Sequence, residues 1–450
     1  MINKRDFLKA AGTVIAGSMW TASGASDKGA APRANWAGNY QYRAPHLYTP
    51  ATVDEVQKIV AGAKKVKALG TRHSFNSIAD SPDTQISLEH LQQLDKLAID
   101  KGARTVTVFG AVRYGQLAPK LQKQGFALHN LASLPHISVA GARSTATHGS
   151  GNKNGNLATV VSALEFITAE GDLVSLSRSH DGDHFLGAVV DLGALGIVTK
   201  VTLDIQPTFD VSQVVYENLP FAALERHLDE IFAAGYSVSL FTDWQNHRAT
   251  QVWIKSRVGA VHNPASPEFY GARLATVNLH PLAGHSAENC TEQLGVPGPW
   301  YERLPHFRMA FTPSSGAELQ TEYFVPRDKA YQAILAVETL GDQITPHLFI
   351  TELRTIDADQ LWMSPCYRRP SLAIHFTWKP EWPDVKRVLP LIEAQLAPFD
   401  AKPHWAKLFT MPAARLQSLY PKVKQYKELM ASYDPNAKFR NEFLASHLYS

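Results

Sequence analysis

Two stretches constrain this chain most: Gly70-Thr71-Arg72-His73-Ser74-Phe75-Asn76 and, 65 positions later, Pro135-His136-Ile137-Ser138-Val139-Ala140-Gly141-Ala142-Arg143-Ser144-Thr145-Ala146-Thr147-His148-Gly149-Ser150-Gly151. Both are crowded with Gly, Ala, Ser and Thr. Small residues let a backbone approach a pyrophosphate closely, and their N–H and hydroxyl groups can replace water around its oxygens. An irregular surface connection can share this composition. A solvated loop, however, seldom carries Ile137, Val139, Ala140, Ala142 and Ala146 together.

The elements around the loops alternate. Val56, Ile59 and Val60 have helical spacing between Thr52 and Ala63, with Thr52 ahead of Glu55 as a capping box. Lys65 to Leu69 reads as a strand that delivers the chain into the first loop, and Thr105 to Phe109 as another. Val160 to Thr168 is a third strand, turning at Glu170-Gly171-Asp172 into Leu173 to Leu176. Pro207 and Phe209 mark a boundary. Beyond it, short strands such as Tyr236 to Thr242, Gln251 to Lys255 and Ile350 to Ile356 are separated by long loops rich in Pro and Gly; Leu416 to Ser450 opens as a helix. The length of 450 residues suits two or three domains.

Several classes drop out. Lys plus Arg number 44 and Asp plus Glu 41, without a run of five basic residues, which argues against a nucleic-acid surface. Two cysteines, Cys290 and Cys366, form no Cys-x-x-Cys, which excludes zinc ribbons and disulfide frameworks. Gly149-Ser150-Gly151 reaches its next glycine at Gly155, one residue too far for a nicotinamide fingerprint, and a strand rather than a helix follows. Phosphate-loop and nucleophile-elbow signatures are also missing from the sequence. His180-Asp181-Gly182-Asp183-His184 holds possible metal ligands but reads as a solvated turn, so no metal is expected.

The first thirty residues read as a leader. Asn3 to Lys9 is basic, Ala10 to Ala22 is weakly apolar, and Ala22-Ser23-Gly24-Ala25 is a cleavage signature. The apolar run is too short to span a bilayer, and no other segment is long enough. The pattern resembles a twin-arginine export signal with Lys4 in place of the first arginine and Arg5, Phe7, Leu8 and Lys9 in their expected places. It implies a periplasmic protein exported already folded.

Polar residues interrupt the apolar strands of the second half. Period-two alternation puts Glu352 and Arg354 on one face, and His375 with Thr377 on another; Lys407 sits between Trp405 and Phe409 in a third such segment. Burying these groups is costly unless each is paired or meets a polar ligand. The pattern alone admits a Glu352–Arg354 salt bridge with a solvated Lys407, or a ligand pocket.

Leu69 to Ala79, Leu131 to Gly151, Tyr236 to Trp244, Asn289 to Arg308, Phe311 to Tyr323 and His404 to Phe409, in this order and spacing, resemble the vanillyl-alcohol oxidase superfamily and within it the alditol oxidase and xylitol oxidase family. The resemblance implies an α+β, two-domain FAD-binding PCMH-type fold with a mixed-sheet substrate cap. Residues 35–208 would be the FAD domain, 209–415 the cap, and 416–450 a segment returning to the FAD domain. It implies that His73 is joined covalently to FAD and that Gly70, Thr71, Arg72, Ser74, Phe75 and Asn76 wrap the pyrophosphate. Ser133, Ser138, Gly141, Ala142, Thr145 and His148 would line the second loop, with Ile197 on the adenine side. It further implies that Ser138, Glu352, Arg354, His375, Thr377 and Lys407 bind a polyol, with Lys407 and Arg354 catalytic. The expected reaction is oxidation of a terminal hydroxyl of a sugar alcohol, with O2 reduced to hydrogen peroxide. A sugar-lactone dehydrogenase of the same superfamily and a non-catalytic exported carbohydrate-binding flavoprotein are the alternatives. Oligomeric state is not readable from the sequence.

Overall fold

The computed structural model describes residues 33–91, 94, 97–259, 265–310 and 317–449. The expected leader, residues 1–30, and residues 311–316 of the Phe311 to Tyr323 motif lie outside the described residues.

Strands β1 (His46–Tyr48), β2 (Val66–Ala68) and β3 (Thr84–Ile86) form a small parallel sheet in the order β1-β3-β2. The helix Val53–Gly62 lies between β1 and β2, and the Thr52 side chain accepts from the Glu55 N–H at its start. The Glu55 carboxylate reaches back to the Ala51 N–H, one residue earlier than a capping box requires. The first small-residue loop leaves β2 at Leu69, whose N–H donates to Ile86.

Then come β4 (Ala98–Asp100), β5 (Thr105–Phe109), β6 (Phe126–Ala127), β7 (Val161–Ile167), β8 (Leu173–Ser177), β9 (Ile197–Asp204) and β10 (Gln206–Pro207). Five of them make an antiparallel sheet, β4-β5-β9-β7-β8, while β6 pairs with β10. The expected hairpin through Gly171 is the β7–β8 pair. Leu416, Tyr420, Tyr426 and Leu448 pack into the same apolar cluster as Val106, Leu164 and Val201, so the C-terminal segment closes over this sheet. His180 to His184 belongs to the helix Arg178–Val189, not to a turn: Asp181 accepts from the Ser177 N–H at the helix start, and Gly182, at φ 49°, absorbs a kink.

The second half is one ten-stranded sheet. Its members are β11 (Asp210–Pro220), β12 (Ser237–Thr242), β13 (Arg248–Arg257), β14 (Glu268–Phe269), β15 (Ala272–Leu274), β16 (Gly298–Pro299), β17 (Leu319–Pro326), β18 (Leu348–Ile356), β19 (Ser371–Trp378) and β20 (Lys402–Pro403). The order is β14-β15-β11-β13-β12-β18-β19-β17-β20, with β16 beside β11. Every pairing is antiparallel, so strand directions are not mixed as the sequence reading expected. Short returns reverse the chain, as through Asp243 to His247 between β12 and β13. Two of these strands are also longer than expected, 11 residues in β11 and 10 in β13.

Alternation divides the sheet's faces. Leu353, Ile374, Phe376, Trp378, Leu319 and Tyr323 point to one side and join the helices Phe221–Ala233, Ala330–Glu338 and Trp382–Leu396 in an apolar cluster. The intervening Gln320, Glu322, Glu352, Arg354, His375 and Thr377 line a cleft instead.

Candidate active site

The cleft, of about 570 Å³, is bounded by both small-residue loops and by the polar face of the large sheet. The loops meet at Ser138. Its N–H donates to Thr71 Oγ1 at 3.4 Å. A Cβ placed on Gly70 would lie 3.0 Å from Ser138 Oγ and one on Gly141 2.9 Å, so the two glycines together leave room for that hydroxyl. Thr145 caps the second loop through the Gly141 carbonyl at 3.3 Å. Thr71, Arg72, Ser74, Ala142, Thr145 and His148 also line the cleft.

Two expected cofactor residues do not. Asn76 turns its amide away and donates to the Trp405 and Lys407 carbonyls at 2.9 and 2.8 Å. Ile197 is fully buried in an apolar cluster with Val56 and Ile167; strand alternation exposes its neighbours Gly196 and Val198 to the cleft.

His73 stacks on Trp36, ring centroids 5.2 Å apart, with Nδ1 3.1 Å from Thr71 Oγ1. Burial, ahead of the neighbouring His136, pushes its pKa down to about 4, so the ring is neutral at ordinary pH.

The sheet supplies two cross-strand rows. Glu322, His375 and Glu352 are direct neighbours across β17, β19 and β18, and Gln320 faces Thr377 two positions further along. Arg354 ties the rows to the second loop. Its Nη1 donates to Ser133 Oγ at 3.1 Å and its Nη2 to Glu322 Oε1 at 3.0 Å, while Nε lies 3.5 Å from Glu352 Oε1. The Glu352–Arg354 contact anticipated from alternation is thus the longest of the three. Burial would raise Glu352, but Arg354 and then His306 outweigh it and hold the carboxylate well below its usual range. Glu322 is likewise held low despite burial, by His148 and His375.

Lys407 is in a turn, not in a strand: its N–H donates to the His404 carbonyl at 3.0 Å. The Phe75 N–H braces the same turn through the Ala406 carbonyl at 2.7 Å. The Lys407 ammonium lies 5.0 Å from the centre of the Phe75 ring and donates to Gln320 Oε1. Its pKa falls to about 8, first because it is buried; the Arg354 guanidinium contributes, but Glu322 and Glu318 oppose it.

Four further residues build this site. Gln320 and Glu322 follow the alternation rule in β17 and were available to it. His306 lines the cleft from a loop, and Lys255 stands behind it on β13.

Residues 44–177 match the FAD binding domain family, and residues 316–447 match the D-arabinono-1,4-lactone oxidase family. The chain is 46% identical over 415 residues to an alditol oxidase of Streptomyces sp., covering 91% of this chain and 97% of that one. It is 26% identical over 440 residues to the L-gulonolactone oxidase of Mus musculus, covering 92% and 98%. In fold alone it is similar to the crystal structure of cholesterol oxidase from B. sterolicum, with a TM-score of 0.74 at 13% identity over 93% of this chain and 96% of that one.

The loop geometry fits an FAD pyrophosphate. Among the described residues, none accepts a hydrogen bond from the backbone N–H groups of Thr71, Arg72, His73 or Ser74. Arg72 at φ 63° bends this run, the turn that gathers consecutive N–H groups around an anion.

Proposed function

The chain belongs to the alditol oxidase family, and from that premise we propose that it oxidises the terminal hydroxyl of a sugar alcohol of the xylitol or sorbitol type to the aldose. Gly70 to Ser74 and the second loop would hold FAD, which would supply the hydride acceptor and the route for electrons to O2, with hydrogen peroxide as the co-product.

One observation carries the reading: a buried guanidinium, two ionised carboxylates, a histidine, a threonine and a lysine share one cleft with the FAD loops. A polyol presents a row of hydroxyls, each both donor and acceptor, and this mixture answers both needs. Lys407 and Arg354 hold the reacting hydroxyl. As its carbon loses hydride, negative charge builds on the oxygen, and the Arg354 guanidinium stabilises it. Lys407, drawn toward neutrality by burial, accepts the hydroxyl proton on Nζ. Glu352, His375, Thr377 and Ser138 position the remaining hydroxyls.

Covalent attachment of FAD through His73 belongs to the same proposal, supported by a neutral, cleft-facing imidazole. Residues 35–208 with 416–450 serve the cofactor and 209–415 the substrate. The leader at residues 1–30 supports export to the periplasm, which fractionation of the native host tests. Among the described residues no helix is long and apolar enough to cross a membrane.

An oxygen electrode with xylitol and sorbitol tests the activity: oxygen uptake with stoichiometric peroxide supports it, and an inert flavoprotein overturns it. The match of residues 316–447 to the lactone oxidase family favours a second reading, in which a sugar lactone is the substrate. Faster flavin reduction by L-gulono-1,4-lactone than by xylitol would decide for it. Yellow colour retained after acid precipitation supports the His73 linkage; a colourless pellet excludes it.

A further inference from the structure

We infer that Lys255 and His306 form a positioning relay that fixes Glu352 as the hydroxyl acceptor of the cleft, and so set how tightly a polyhydroxylated substrate is held. The inference rests on the polyol reading above for its substrate, though not for its geometry.

The relay starts at a buried ammonium. Lys255 on β13 is 1% exposed, and its Nζ donates to three consecutive carbonyls, Arg303 and Leu304 at 2.7 Å and Pro305 at 2.9 Å. Three acceptors use all three N–H bonds, so the bonding requires the charged form. Burial draws Lys255 down to about 7, and the Glu352 carboxylate opposes that. His306 Nδ1 is the fourth neighbour, at 3.2 Å. A proton on that nitrogen would face an ammonium, so Nδ1 carries the lone pair and the hydrogen sits on Nε2. Burial, which pulls His306 down to about 4, keeps the ring neutral.

The ring is also clamped. Trp253 and Phe241 meet it nearly edge-on, with centroids at 5.1 and 5.6 Å. Nε2 is thereby aimed at Glu352 Oε1, 2.7 Å away, with Ser239 Oγ at 3.5 Å. Oε1 takes this bond and the longer approach of Arg354 Nε. Among the described residues nothing donates to Glu352 Oε2, and the residue lines the cleft. A carboxylate with one oxygen pinned and the other open suits a substrate O–H in one orientation. The relay also gives work to the Asn289 to Arg308 motif, whose end supplies the three carbonyls and His306.

Two measurements on the flavin-loaded protein test the relay. Replacement of His306 by Leu should raise KM for xylitol roughly tenfold with a much smaller change in kcat, and His306→Gln, whose amide can donate in place of Nε2, should restore most of the loss. An unchanged KM in a folded, flavin-loaded H306L enzyme overturns the inference, as does equal loss in both variants. Histidine-selective 15N NMR reads the tautomer without turnover: His306, assigned by the signal missing from H306Q, should be neutral with its proton on Nε2 from about pH 6 to about pH 7. An imidazolium or an Nδ1–H form in the wild type also overturns it. A wild type inert toward xylitol but with the stated tautomer would refute the substrate and support the relay.

Discussion

Arg354 Nη2 donates to Glu322 Oε1 at 3.0 Å across the intervening strand β19, and the two side chains are 5% and 2% exposed. The same oxygen accepts from His148 Nε2 at 3.0 Å, so the large sheet and the second FAD loop share one carboxylate. His148 Nδ1 faces the Gly149 carbonyl at 2.8 Å. Both ring nitrogens therefore face oxygen atoms, and His148 bridges the second loop to the ionised Glu322.

Replacing Glu322 by Gln removes the buried counter-charge nearest to Arg354. Breaking a buried pair by removing one partner costs about 3–5 kcal/mol. Urea denaturation of the E322Q holoenzyme should show a loss of that order. A loss below about 1 kcal/mol, the range of an exposed pair, would show that water reaches the cluster.

Substitution of Lys407 by Met removes the proposed proton acceptor while keeping the length of the side chain. Gln320 loses one donor, and the turn keeps its bonds through Phe75 and Asn76. K407M should retain its flavin. Anaerobic stopped-flow reduction by xylitol should slow by roughly 10² to 10⁴, the range for loss of a general base. An unchanged reduction rate assigns the proton to another group.

Gln320 offers a finer test of the same residue. Its Oε1 accepts from Lys407 and its Nε2 donates to Glu318. With Lys407 near 8, the flavin reduction rate should rise with pH and level off above that value. A carboxylate at position 320 favours the ammonium, so Q320E should move the break upward by roughly one unit and depress the rate at neutral pH. A profile that stays in place would detach the break from Lys407.

Much of the site followed from strand arithmetic. Glu352 and Arg354, and His375 and Thr377, share faces because side chains alternate with period two, and the structure places all four in the cleft. The same rule, applied to Ile197, would have turned it away from the cleft. Lys407 was misread for a local reason: aromatic residues flanking a polar one imitate a strand, and the turn shows only in the hydrogen bonds of His404 and Phe75. Lys255 and His306 are 51 positions apart and meet only when a loop lies against β13. No short-range pattern encodes such a meeting.

The buried histidines set the acid limit of the fold. Burial holds His129 and His306 near 4 and His404 near 3, against about 6.5 in an unfolded chain. As pH falls below about 6.5 the unfolded chain takes up protons that the folded one refuses, so the stability these neutral rings contribute is complete above that pH and drains away toward 4. Glu322 and Glu352, held low in the fold, contribute above about 4.5 and lose that contribution below it, in the same direction. Urea midpoints should therefore fall steadily from about pH 6.5 to about pH 4.5, before the carboxylates enter. His129, whose Nε2 lies 3.3 Å from the Gly155 carbonyl, permits a control outside the catalytic cleft. H129Q removes one titrating group and should flatten the slope by up to about 1.4 kcal/mol per pH unit. A slope identical to the wild type would mean that His129 takes up its proton in both states.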